Sequence, residues 1–264
     1  MPLPVVLVFS GADPSGGAGI QADIEAVASM GCHAAVVTTA VTVQNTQGVR
    51  GFQTLGADLI QDQAAAIFDD MPVRAVKTGM LASAATIKVI AELMAARPSL
   101  PLVVDPVMTA GSGDPLSDND CLAAMRDMIA KATIVTPNLP ELEQLAPNAT
   151  TLQDAAKALA ALGCRHLLVT GTHGADDPVI NRLFDAGELV SELHWPRLEG
   201  NYHGSGCTLA AALAAQLAHG VALTEAVSAA QAYTWQSLAH ANALGQGQYI
   251  PDRFFWATRR WQHE

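Results

Sequence analysis

The sequence predicts an α/β fold, in which one mostly parallel central sheet is covered by helices on both faces and carries a β-hairpin at its edge. Three observations predict it. Short β-branched runs alternate with longer Ala-rich amphipathic segments almost throughout, and repeated strand–helix units imply parallel pairing through crossover helices. Leu102-Val-Val-Asp105 is apolar without alternation, the pattern of a strand buried on both faces. The rhythm breaks where Val179–Phe184 and Leu189–His194 flank Asp185-Ala-Gly-Glu188. Two such runs around a turn read as a hairpin.

The elements follow in order. Val5–Phe9 is a strand, followed by a glycine-rich turn and a helix from about Gly17 to Met30. Ala35–Thr39 is a second strand, Asp58–Asp69 a helix, Val73–Lys77 a strand and Ser83–Ala96 a helix. After the buried strand at 102–105, Ser117 reads as the N-cap of a further helix, with Asp120 three residues on. Thr133–Thr136 is a strand, and Asn138 caps the helix after it. Thr151–Leu162 is a helix ended by Gly163, and His166–Thr170 is the next strand. Two closing helices span roughly 207–218 and 222–242. The aromatic and basic stretch Gly245–Glu264 reads as a docked terminal helix with no assigned position.

The chain has 264 residues, enough for one large α/β domain with a buried core. No linker or internal repeat divides it, so a single domain over 1–264 is expected. Half the residues are hydrophobic, only 15% are charged, and the formal net charge is -11. Such an acidic chain is a poor general binder of nucleic acid or anionic membrane. A local anion site must then come from backbone N–H groups and metal ions. The four cysteines, at 32, 121, 164 and 207, show no metal-like or disulfide spacing. Neither a signal peptide nor an apolar run of membrane-spanning length is visible, and cytoplasm is the expected compartment.

Polar or glycine residues follow the buried strands: Ser10-Gly-Ala-Asp13, Thr42-Val-Gln44-Asn45, Lys77-Thr-Gly79-Met80, Asp105-Pro-Val-Met108, Thr136-Pro-Asn138 and Thr170-Gly171. Ligands of open parallel sheets sit at the carboxyl ends of the strands, so these ends point to one shared pocket. Gly204-Ser-Gly-Cys207 runs directly into the helix-forming Thr208-Leu-Ala-Ala-Ala-Leu. A tight turn feeding a helix start offers unpaired N–H groups and the positive end of the dipole, which suits an anion. The same pattern fits a glycine-rich turn before a packed helix. A cysteine there can have a lowered pKa, so Cys207 reads as a base, a nucleophile or a packing residue. Cys–His acyl transfer is disfavoured, because His203 lies four residues away across a turn without defined geometry.

Gly17-Ala-Gly19-Ile-Gln-Ala22 loosely matches a dinucleotide fingerprint. The second strand, however, runs into Thr42-Val-Gln44-Asn45 and supplies no ribose-binding carboxylate. The loop also lacks the Lys-Ser/Thr pair of a P-loop, so a hydride-transferring oxidoreductase is disfavoured. Gln44 can donate and accept at once, which suits the edge of an aminopyrimidine or pyridine ring; a turn-stabilising amide beside Asn45 is the alternative. Asp105 ends the most apolar strand, and a buried carboxylate needs a partner. Glu141, near the start of the next helix, has the spacing from Asn138 of a capping arrangement. Together, Asp105 and Glu141 suggest a magnesium site held largely through water.

These pieces resemble the hydroxymethylpyrimidine/phosphomethylpyrimidine kinases of thiamine biosynthesis, within the ribokinase-like superfamily. The matching stretches are Ser10-Gly-Ala-Asp-Pro-Ser-Gly-Gly-Ala-Gly-Ile-Gln-Ala-Asp23, Ala40-Val-Thr-Val-Gln-Asn-Thr46, Val76-Lys-Thr-Gly-Met-Leu81, Val103-Val-Asp-Pro-Val-Met108, Thr136-Pro-Asn-Leu-Pro-Glu141 and His203-Gly-Ser-Gly-Cys-Thr-Leu209. They fall in family order over nearly the whole chain. The resemblance implies a ribokinase-like three-layer sandwich and an ATP-dependent kinase. Its acceptor would be the 5-hydroxymethyl group of an aminopyrimidine, and then the resulting monophosphate. It places Gln44 on the pyrimidine, with Gly11, Asp23, Met80 and Val107 around the ring. Gly204, Ser205 and Gly206 would form the anion hole, with Cys207 where most ribokinase-like enzymes carry a catalytic aspartate. Asp105 and Glu141 would support Mg-ATP, and Asn138, Thr170 and Gly171 would border the nucleotide. A homodimer is usual for the resemblance.

Two stretches depart from the family pattern. Thr109-Ala-Gly-Ser112-Gly113 lacks the lysine that many relatives carry, and Thr170-Gly-Thr-His-Gly-Ala-Asp-Asp177 brings two acidic residues to the nucleotide side. Pyridoxal kinase shares the implied fold and Mg-ATP site, and a non-catalytic pyrimidine-binding regulator is a further alternative. A Cys207 thiolate would assist the first transfer, whereas the second acceptor is already ionised and needs no base. The absence of a fixed carboxylate at 207 would then admit a phosphorylated acceptor.

Overall fold

A computed structural model describes residues 3–108, 120–172, 174 and 177–257. Its strands are β1 (Val5–Ala12), β2 (His33–Asn45), β3 (Gly48–Thr54), β4 (Val73–Thr78), β5 (Leu102–Val104), β6 (Ile134–Val135), β7 (His166–Val169), β8 (Val179–Asp185) and β9 (Glu188–Trp195). They form one sheet in the order β3-β2-β1-β4-β5-β6-β7-β8-β9. β2, β1, β4, β5, β6 and β7 pair in parallel, and an antiparallel ribbon closes each edge.

Strand periodicity assigns the two faces. Val5, Leu7 and Phe9 pack with α2 (Ala57–Asp70), α3 (Ala84–Ala95), α4 (Cys121–Ile129), α5 (Leu139–Leu145) and α6 (Leu152–Ala161). Val6 and Val8 pack with α1 (Gly19–Ser29), α7 (Ser205–Ala218) and α8 (Leu223–Ala239). The result is the expected three-layer α/β sandwich. Every residue of α7 from Thr208 to Ala215 is buried. Its alanines let the sheet, α1 and α8 all approach closely, so α7 holds a fixed position behind the strand ends. Among the described residues no helix is long and apolar enough to cross a membrane.

The structure departs from the sequence expectations at two places. The second strand does not stop at Thr39 but continues to Asn45 and folds back as β3. Val41 and Val43 on this extension are half-exposed, so no core face marks it in the sequence. The Gly245–Glu264 stretch is not a docked helix over its length. Residues 245–254 instead wrap across the molecule: Gln248 N–H donates to Thr46 O, Tyr249 N–H to Asn201 O, and Ile250 bridges Asn242. Among the described residues α4 runs Cys121–Ile129 with Asp120 at its N-cap. Ser117 and the Thr109–Gly113 departure lie outside the described residues, as do 173, 175 and 176. Asp177 is exposed.

Candidate active site

Consecutive strands leave β1 in opposite directions, to β2 and then to β4. A crevice opens at the carboxyl ends of such strands. It holds a cavity of about 270 Å³ lined by the ends of β1, β2, β4, β5 and β6 and by Gly204 to Cys207. The left-handed Gly204 (φ 76°) caps α7, and among the described residues no side-chain cap bonds the start of that helix. A Cβ at Gly204 would run into Gly17 O and stand 2.9 Å from Ala18 Cα. Glycine is therefore required both for the positive φ and for the close approach of the two turns.

Asp13 organises the glycine-rich loop. Its carboxylate accepts from Ser15 N–H (2.9 Å), Ser15 O–H (2.8 Å), Ala18 N–H (2.8 Å) and His203 Nε2 (2.8 Å). Burial alone would raise the Asp13 pKa, but the bonds from His203, Ser15 and Ala18 outweigh it and hold the carboxyl below its ordinary value. The same His203 nitrogen lies 2.8 Å from the Gln44 carboxamide. Arg253, from the C-terminal wrap, is fully buried; it donates to Gly17 O, to Thr208 Oγ1 (2.9 Å) and to Glu25 (3.1 Å). It thereby ties the loop, α1 and α7 into one unit.

Beneath this unit Lys77 Nζ reaches both oxygens of Asp23, at 2.7 and 2.9 Å, with both side chains fully buried. Burial alone would lower the lysine pKa, and the carboxylate beside it raises it instead. Burial likewise pushes Asp23 up, opposed by the ammonium. The bidentate contact identifies a charged pair. Asp23 is accordingly not among the residues that line the cavity. The structure places this carboxylate against Lys77, apart from Gly11, Gln44, Met80 and Val107, which line the cavity. Gly171 likewise stands apart from the cavity lining. It donates its N–H to Asn181 Oδ1 (2.9 Å) and packs against Ile180 O.

Gly11, Gln44, Met80, Val107, Asn138 and Thr170 do line the cavity, as do Asp105 and Glu141. The Asn138–Glu141 arrangement is a full capping box, with bonds of 2.9 Å in each direction. The cap does not exclude a further role, because Glu141 also stands close enough to Asp105 to feel its charge. Burial, and then that repulsion, raise the Glu141 pKa above its ordinary value; burial also raises Asp105, against the pull of Lys77. Asp105 Oδ2 and Thr136 Oγ1 are buried without a hydrogen-bond partner among the described residues. Two crowded carboxylates and an orphaned oxygen fit a hydrated divalent cation, whose charge would relieve both. Asp105 and Glu141 would hold it, and it would neutralise phosphate charge there.

Cys207 meets the opposite fate to that expected of a helix N-terminal cysteine. Burial pushes its thiol up to about 12; Lys77 pulls it down, but Asp23 and Asp105 oppose that pull. Of the roles the sequence leaves open for Cys207, this direction favours a neutral thiol over a thiolate. A second cavity of about 260 Å³ meets the first at Ser205 and Gly206. It lies against Trp195 and Trp235, whose rings stack at 6.2 Å, and against Asn181 and Gln231. Sequence reasoning missed Asp13, Lys77, His203 and Arg253 as site-building residues. Lys77, a charged residue inside an apolar strand, and Asp13, at a strand end, gave a local signal, but neither revealed its partner.

Comparison with known proteins fits this geometry. The chain is 42% identical to the hydroxymethylpyrimidine/phosphomethylpyrimidine kinase of Streptomyces coelicolor over 92% of each chain. It is 40% identical to the thiamine biosynthetic bifunctional enzyme of rice (Oryza sativa subsp. japonica), over 94% of this chain and 46% of that one. It thus spans about half the length of this fused relative and nearly all of the free-standing kinase. The pyridoxal kinase from Staphylococcus aureus in complex with pyridoxal superposes with a TM-score of 0.87 at 30% identity, covering 97% of this chain and 95% of the other. The fold is thereby that of the ribokinase-like kinases. The family model described as phosphomethylpyrimidine kinase matches residues 13–252, and the chain belongs to the phosphomethylpyrimidine kinase family.

Proposed function

We propose that this kinase transfers the γ-phosphoryl group of ATP to the hydroxymethyl group of 4-amino-5-hydroxymethyl-2-methylpyrimidine, and then to the resulting monophosphate, in thiamine biosynthesis. The observation that carries the reading is the junction of two cavities at the start of α7. One offers the Gln44 amide, Gly11, Met80 and Val107 to a small planar ring. The other offers a tryptophan pair, with Thr170 at the boundary, to a nucleotide base. The phosphoryl group in transit would lie between them, against the N–H groups of Ser205, Gly206 and Cys207.

Phosphoryl transfer depends on in-line placement and on stabilising negative charge spread over the oxygens. Preorganised N–H donors at a helix start supply that stabilisation without reorganising. With Cys207 neutral, the acceptor side of the anion hole carries no fixed negative charge of its own. An aspartate there would repel the monophosphate acceptor of the second step.

ADP release with the pyrimidine alcohol, its monophosphate and pyridoxal as separate acceptors tests the proposal. Turnover of both pyrimidines is the expected result, and turnover of pyridoxal alone would overturn it. Pyridoxal kinase is the second reading, supported by the close superposition on the S. aureus enzyme. We propose a homodimer as well. The β2–β3 ribbon, which displays Val41, Val43 and Phe52, supports it, and sedimentation of the purified chain measures it.

A further inference from the structure

Three groups meet at one atom. His203 Nε2 is 2.8 Å from Asp13 Oδ2 and 2.8 Å from the atom placed as Gln44 Nε2, and His203 is 7% exposed. A ring nitrogen either carries a hydrogen and donates or has a lone pair and accepts. Asp13 settles which. Its two oxygens already accept from Ser15 N–H, Ser15 O–H and Ala18 N–H, the pattern of an ionised, acceptor-only carboxylate. A lone pair on Nε2 facing that oxygen would be repelled, so Nε2 carries the hydrogen. The end of the Gln44 carboxamide that meets the same N–H must then be its oxygen, because the hydrogen-bond network assigns the two ends of an amide. The amide is therefore turned end for end from the placement with Nε2 at His203, and its NH2 then faces the cavity that Gln44 lines.

We propose that His203 is a positioning residue which, held by Asp13, fixes the Gln44 carboxamide with its NH2 toward the cavity and so selects acceptor rings that present an in-plane lone pair. The inference deepens the functional reading above and rests on it. Gln44 alone can present either end to a ligand. His203 removes that freedom, and a ring whose edge offers only C–H leaves a buried amide N–H without a partner. The selection concerns the ring and not the transferred group, so it acts on ligand affinity and not on nucleotide affinity.

The experiment measures dissociation constants by calorimetry for the pyrimidine alcohol and for its benzenoid analogue, in which both ring nitrogens are C–H. Wild type, His203→Phe, Gln44→Met and the double variant are compared, with a non-hydrolysable ATP analogue as the check on the fold. Wild type is expected to favour the pyrimidine by about tenfold or more. Each single variant is expected to cut that preference to less than about threefold while ATP-analogue affinity stays put, and the double variant to add nothing further. A His203→Phe protein that keeps the full preference overturns the inference and leaves the kinase reading intact. A Gln44→Met protein that retains it overturns the inference independently, even where His203→Phe is unstable. Wild type that neither binds nor phosphorylates the pyrimidine sinks the functional reading and this inference together.

Discussion

On the glycine-rich side of the cavity the Asp13 carboxylate accepts bonds from three residues, and Arg253 holds the loop backbone from behind. On the carboxylate side Asp105 Oδ2 and Thr136 Oγ1 have no partner among the described residues, and Glu141 is crowded by Asp105; on the glycine-rich side the buried atom without one is Ser10 Oγ, outside the Asp13 network. Both sides stand at the ends of the same parallel sheet, so the difference comes from the side chains and not from the architecture. A saturated network is rigid, and it presets the shape that an acceptor and a transferred phosphoryl group must meet. An unsatisfied cluster costs stability until a ligand of opposite charge arrives. On this contrast we propose that the acceptor takes the finished side and the cation with its nucleotide the unfinished one.

The largest effect should come from breaking the charged pair beneath the finished side. Lys77→Met leaves Asp23 fully buried without its counter-charge, and we expect a loss of roughly 3–5 kcal/mol in urea denaturation. Adding Asp23→Leu should restore most of it, and a single variant as stable as wild type would show that the pair is not structural. Gly204→Ala comes next. The new methyl would meet Gly17 O at a left-handed position, and a displaced α7 start should lower kcat by about 10²-fold. Unchanged kcat would mean that the start of α7 does not hold the transferred group.

Cys207→Asp is smaller and asymmetric. It adds a carboxylate beside Asp105 and should slow phosphorylation of the monophosphate about tenfold more than that of the alcohol. Equal losses in the two steps would count against the role given to the neutral thiol. The smallest effect sharpens the other side. Glu141→Gln keeps the capping bond, because a carboxamide oxygen can accept from Asn138 N–H, and removes the repulsion with Asp105. The folded-state pKa of Glu141 is raised. Its contribution to stability is therefore full below the unfolded carboxyl pKa and is lost as pH rises through the folded value. At neutral pH the ligand-free variant should be more stable than wild type by about 1 kcal/mol, with a flatter fall toward alkaline pH. Thermal melts across pH would detect this, and a less stable Gln variant would show that only the cap matters.

The sequence was legible wherever the signal is local. Gly204–Cys207, Gln44, Asp105 and Glu141 announce themselves by residue type at a strand or helix end, and all line the cavity. The parallel core and the β8–β9 hairpin followed from periodicity and turn composition. What stayed hidden depends on partners far along the chain. Lys77 and Asp23 are 54 residues apart, His203 and Asp13 190, and Arg253 and Gly16 237. No spacing rule brings such residues together. The same limit hid the Lys77 partner of Asp23 and the burial that raises the Cys207 pKa, since both are set by neighbours from other elements. The β2–β3 ribbon escaped because its outer residues face away from the core and give no buried stripe.

The measurement that reaches the central contrast most directly is calorimetric titration of the wild-type chain with the pyrimidine alcohol and, separately, with a non-hydrolysable ATP analogue, each with and without Mg²⁺. A finished acceptor side predicts that the pyrimidine binds equally well in both conditions and before any nucleotide. An unfinished carboxylate side predicts that the nucleotide analogue binds at least about tenfold more tightly with the cation present. A pyrimidine that binds only after Mg²⁺ and nucleotide, or a nucleotide indifferent to the cation, would contradict the account.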